Sequence, residues 1–150
     1  MSPVELSQIL KKHQAWLDGR RGARANLAMQ DLSDLKLPGV RLSKATLTGT
    51  NLSACVLTAA DFRDADLFGA NLQKSDLENA DFSGADLRGV LLRGANLSRA
   101  RLVNVDLRDG VLMYAGDDAG SAVNQVDYSG IELNQVTLNG ANLAGARMAT

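Results

Sequence analysis

The sequence has few of the side chains that active-site chemistry uses. Its 150 residues include one histidine and one cysteine. A lone cysteine excludes an intramolecular disulfide and any multi-cysteine zinc site, and it suits a reducing compartment, which makes the cytoplasm the expected location. A lone histidine leaves the serines at 33, 43, 53, 83 and 98 without a base to activate them. Aromatic residues make up only 4% of the chain, so its core must be aliphatic and fine-grained. Sixteen basic against seventeen acidic side chains leave a net charge of −1, which gives no field for holding nucleic acid directly. No apolar run reaches the roughly 18 residues of a membrane span, and the N-terminal region has no signal-like apolar stretch. Neither a glycine-rich phosphate loop before a helix nor a Gly-x-Ser-x-Gly elbow occurs. The chain is therefore expected to be no enzyme, and to need no cofactor or metal.

What the sequence does contain is a repeat. From Leu27 to Leu112 a large apolar residue recurs at every fifth position, sixteen times leucine and twice phenylalanine (Phe62 and Phe82). Two residues earlier stands a small or β-branched residue in sixteen of the eighteen cases, nine of them alanine. Immediately before the large residue, eleven positions hold Asp or Asn. A period of five suits neither the 3.6 of a helix nor the 2.0 of a strand. It requires a chain that turns once per repeat, so that every leucine returns to one interior. The polar and glycine positions then form corners, where Asp, Asn, Ser and Gly are at home.

Segments such as Ala60-Asp61-Phe62-Arg63-Asp64, Ala70-Asn71-Leu72-Gln73-Lys74 and Ala80-Asp81-Phe82-Ser83-Gly84 resemble the pentapeptide-repeat family. The resemblance spans about residues 25–148. It implies an all-β solenoid, the right-handed quadrilateral β-helix with four pentapeptides per coil of twenty residues. Residues twenty apart would then stack at roughly 4.8 Å, placing Phe62 against Phe82 between Leu42 and Leu102. Cys55 would be a buried core thiol. Asp66, Asp86 and Asp106 would form an outer ladder of turn-capping carboxylates, offset by Arg88 and Arg108.

Residues 1–24 break the period and read as a capping helix and linker. Ser2-Pro3-Val4-Glu5 carries the signals of a helix start, and Gly19 those of a stop. Leu6, Ile9, Leu10, His13, Trp16 and Leu17 share one stripe, able to cover the open end of the first coil. His13 is expected to be a satisfied interface residue. Lys11, Lys12, Arg20, Arg21 and Arg24 make this end basic, as a solvated face. The β-helix itself is expected over 25–150, regular to 112, irregular over about 113–122, with repeats resuming at Tyr128, Leu133, Leu138, Leu143 and Met148. The repeat stops without a polar cap, which leaves two explanations open: 1–150 is part of a longer chain, or this end pairs with a second copy in an end-to-end homodimer.

The expected function is that of a bacterial structural and protein-interaction module, acting through rigid faces and one loop on a protein partner, with no membrane involved. Candidate contacts are Tyr114, Asp117 and Asp118 in the irregular stretch, and Phe68, Arg88 and Arg108 on one face. The alternative is a mimic of duplex DNA that binds gyrase, as family members that protect or inhibit gyrase do. The charge is thin for that role: Asp66, Asp86, Asp106 and Asp109 face Arg88 and Arg108, and residues 115–150 add −3. A duplex carries one charge per roughly 1.7 Å of axis.

Overall fold

The computed structural model describes residues 1–108, 110–114, 124–128, 137 and 139–148. Helix α1 (Pro3–Leu17) begins at a reciprocal cap, in which the Ser2 hydroxyl accepts the Glu5 N–H and the Glu5 carboxylate accepts the Ser2 N–H. Leu6 and His13 are its buried residues, and Ile9 and Leu10 pack on the core at half exposure. Trp16 stays exposed, so the covering stripe is narrower than the sequence pattern predicts. After the helix, Gly22 runs so close to it that a Cβ would lie 2.7 Å from the Trp16 backbone nitrogen.

Residues 25–108 wind as a coil. Parallel bridges join the residue before each centre to the one twenty places on, as in Asn26 to Thr46 to Asp66 to Asp86 to Asp106, and four such columns run side by side. Along one column, Leu27 N–H donates to the Thr46 carbonyl at 2.8 Å and Thr46 N–H to the Ala25 carbonyl at 3.0 Å. Two local devices turn the chain between columns. The carbonyl of most centres accepts from the N–H three residues on, as Leu57 does from Ala60 at 3.1 Å. The third residue of that turn has positive φ, +57° at Ala59, which is the pattern of a type II turn. The second device explains the Asp/Asn position. Its side-chain oxygen accepts the N–H two residues on: Asp61 from Arg63 at 3.1 Å, Asn71 from Gln73 at 3.0 Å, Asp86 from Arg88 at 3.1 Å. These acids are turn caps before they are charges.

The interior is as dry as the repeat requires. Leu47, Leu52, Leu57, Phe62, Leu67, Leu72 and Leu77 are fully buried. Phe62 and Phe82 stack in parallel, centroids 4.9 Å apart and planes 7° from coplanar, a contact of about 0.5–1.5 kcal/mol beyond its area. The few polar side chains at small inward positions each find a carbonyl: Thr50 donates to Leu27 at 2.8 Å, Cys55 to Leu32 at 3.0 Å, Ser75 to Leu72 at 2.6 Å. Cys55 is thus the buried core thiol expected, and burial pushes its pKa up.

Where the sequence pattern predicts regular repeats to Leu112, the structure departs. After β1 (Asp106–Leu107), strand β2 (Gly110–Tyr114) pairs antiparallel with β3 (Asn124–Tyr128), so Leu112 faces Val126 across a hairpin. Neither Leu112 nor Tyr128 continues the parallel ladder. The repeat slots explain why. Gly110 would supply no side chain at the small inward position, and Tyr114 would fill the positive-φ corner, which a bulky aromatic avoids. Val111-Leu112-Met113-Tyr114 instead has strand propensity along its whole length. The coil then resumes with Thr137 beside Asn96, Asn142 beside Arg101, and β4 (Arg147–Met148) parallel to β1. These partners lie 41 residues apart instead of 20, consistent with the one-residue phase shift in the late leucines.

Candidate functional site

The face built on the Asn26–Asp106 column carries three of the expected contact residues. Each Asp of its ladder caps a corner, which fixes the residue two places on: Phe68 after Asp66, Arg88 after Asp86, Arg108 after Asp106. Arg88 then folds back on Asp86 through two bonds, Nε to Oδ1 at 2.9 Å and Nη2 to Oδ2 at 2.7 Å. Its Nε also stands 4.0 Å from Asp106 Oδ2 in the next coil. Arg108 clasps Asp106 in the same way, at 2.8 and 2.7 Å. The Arg88 guanidinium carbon sits 5.1 Å above the Phe68 ring centroid, a cation–π contact that orders both side chains. Phe68 is accordingly half-buried, where the sequence places it simply outside.

The electrostatics follow from these clasps. Hydrogen bonds from Arg108 hold the Asp106 carboxyl down at about 2, and Arg88 adds to the effect. The bond to Asp86 raises the pKa of Arg88, and the bond to Asp106 that of Arg108. The strip is thus a row of fixed ion pairs ending in an aromatic ring, with little freedom to lose on binding. Sequence reasoning missed one member. Arg147 of β4 is the ladder partner of Asp106, so the described part of this face has three carboxylates and three guanidiniums. Counting by twenties could not place it, because the hairpin shifts the register by one.

Tyr114 lies in β2, opposite Asn124, and its side chain and those of Asp117 and Asp118 lie outside the described residues. No group of three or more His, Cys, Asp or Glu able to hold a metal occurs among the described residues. No helix of the described residues is long and apolar enough to cross a membrane.

With this coil geometry established, the comparisons with known proteins agree. The family model for pentapeptide repeats matches eight copies, over residues 36–73, 47–84 and 70–109. The chain belongs to the pentapeptide-repeat family. A pentapeptide repeat protein of Nostoc is 34% identical over 65% of this chain and 78% of its own, with a TM-score of 0.35. One from the thylakoid lumen of Arabidopsis thaliana is 28% identical over 81% of this chain, with a TM-score of 0.52. The chain spans 63% of that plant protein's length. QnrB1, a plasmid-mediated fluoroquinolone resistance protein, is 18% identical over 82% of this chain and 59% of its own, with a TM-score of 0.35. No curated protein sequence matches.

Proposed function

We propose that this pentapeptide-repeat chain is a non-enzymatic scaffold that presents the Phe68–Arg88–Arg108 strip and the 110–128 hairpin to a protein partner. The observation that carries this reading is the double clasp of Arg88, bonded to Asp86 and laid over Phe68. A preorganised aromatic and two ordered guanidiniums are the side chains that dominate protein interfaces. The β-helix is the right-handed quadrilateral form that family membership implies, a rigid support for such a strip. The antiparallel β2–β3 pair adds an element that does not continue the parallel ladder, and irregular segments on rigid scaffolds gather contacts. The single buried thiol supports a cytoplasmic setting.

A photo-crosslinking residue in place of Phe68, with a matched one at Ser53 on another face, tests the reading in cells. Discrete protein adducts are expected from position 68 alone, lost on Arg88→Glu with Arg108→Glu. Equal adducts from both positions, or none, would overturn it. The duplex-mimic alternative is the weaker one, because three guanidiniums stand among the three carboxylates of the ladder. Saturable inhibition or protection in a gyrase supercoiling assay would reverse that ranking. At the far end of the coil, Leu143 is 38% exposed and Ala141 and Ala146 only partly buried. We propose that this surface pairs two copies end to end; a monomer by light scattering at 100 micromolar, roughly the scale of weak dimers, would refute the pairing.

A further inference from the structure

The opposite end of the coil holds a second surface, independent of that strip. Helix α1 covers the first coil only on one side, where His13 bonds to Ala25 N–H and the Ser43 carbonyl. On the other side a groove of about 470 Å³ opens between the helix and the coil. Its floor is apolar, made by Leu10 of the helix and by Leu32, Leu35 and Leu37 of the coil. Leu35 and Leu37 are half-buried, where their equivalents one coil on, Cys55 and Leu57, are fully buried.

Along this groove the coil has a free edge. In the later coils, the N–H and C=O groups of a bridge residue both pair with the coil before it. The N–H groups of Asn51 and Val56 donate to Gln30 and Leu35, and their carbonyls accept from Leu32 and Leu37. The corresponding N–H and C=O groups of Asp31 and Lys36 have no backbone partner among the described residues. An unpaired edge beside an apolar floor is a template for an added strand. The rim supplies a sign. Lys11 and Lys36 line the groove with Asp31, and the Asp31 carboxylate is already engaged by Ser33 and by Asn51. Two lysines thus face the groove with no ion-pair partner among the described residues.

We infer that this groove docks an extended acidic segment of a partner protein. The segment pairs its backbone with the edge at Asp31 or Lys36, sets alternate apolar side chains on the leucine floor, and brings carboxylates to Lys11 and Lys36. The probe is a fluorescein-labelled hexapeptide of alternating Glu and Leu, titrated by anisotropy with unlabelled peptide as competitor. Saturable, competable binding is expected. It should weaken at least tenfold when Lys replaces Glu in the peptide, and when a central proline removes a backbone N–H. The surface variant Lys11→Glu/Lys36→Glu, with its fold checked by circular dichroism, should lose binding to the same degree. Absence of saturable binding, or equal binding by that variant, overturns the inference. So does a dimer in light scattering that the variant dissociates, because a second copy would then be the occupant.

Discussion

His13 offers the sharpest test of how the first coil is closed. Its ring is fully buried and its two nitrogens have opposite duties. Nδ1 accepts the Ala25 N–H at 3.0 Å, and Nε2 lies 3.0 Å from the Ser43 carbonyl, to which it must donate. That pair of bonds fixes the neutral tautomer with its proton on Nε2. Ser43 C=O lies on the coil edge that a preceding coil would otherwise satisfy, so one imidazole stands in for part of a missing turn of chain. Replacing His13 by Ala leaves a buried N–H without its acceptor and a carbonyl without its donor. Each loss costs about 1–3 kcal/mol, and the missing ring contact with Trp16, centroids 5.6 Å apart, adds to them. A loss of about 2–5 kcal/mol is therefore expected, a large share of the 5–15 kcal/mol typical of a domain. Protonation attacks the same bond, because Nδ1–H cannot accept from Ala25. Burial, chiefly, with Arg41 and Arg24 assisting and the Ser43 carbonyl opposing, holds the folded pKa below 6.5. The unfolded chain thus binds the proton more readily. The stability that neutral His13 supports is complete above about pH 6.5 and falls as pH drops through the folded value. Urea titrations followed by helix ellipticity at pH 7.5, 6.0 and 5.0 measure both effects. The wild type should lose stability across that range and His13→Ala should show a shallower slope. A variant within about 0.5 kcal/mol of wild type at pH 7.5 would refute the capping role.

Three further outcomes follow from the coil. Leu77→Asp places an unpaired charge at a fully buried position and should abolish cooperative unfolding, at a cost of several kcal/mol; a soluble variant with a sharp thermal transition would contradict the interior assignment. Gly22→Ala drives a Cβ into the helix backbone at Lys12 and Trp16, atoms that cannot rotate away. It should destabilise α1 docking by about 1–3 kcal/mol, read as faster amide exchange at Ala25, and unchanged exchange there would show that the close approach is not rigid. Excising residues 110–130 removes the 21 residues by which the 41-residue spacing exceeds one coil. The shortened chain should melt cooperatively with Asn96 again twenty residues from Thr137, and an unfolded product would show that the hairpin supports the coil.

Much of the molecule is legible in local pattern. The five-residue spacing from Leu42 through Leu47, Leu52 and Leu57 to Phe62 fixes their common interior, since neither a helix nor a strand returns side chains to one side at that period. The cap at Ser2 and Glu5 is equally local, three residues apart. The proposed contact strip was half legible: Phe68, Arg88 and Arg108 share a column by simple counting. Its charge balance was not, because Arg147 reaches Asp106 only through the 41-residue step.

The sequence by itself determined the coil, because most pentapeptides carry their own turn cap, and nearly all carry their own corner and inward pair. Such information is short-range and repeats without reference to the rest of the chain. Tertiary structure alone decided where the pattern is overruled. Strand pairing drew 110–114 to 124–128 instead of into the ladder, though Leu112 keeps the period. Packing at the coil's end chose His13 to bond Ala25 and Ser43, and left the leucine groove uncovered beside it. Those outcomes depend on partners far apart in sequence, whose meeting is settled by which buried polar groups and apolar faces can be satisfied together.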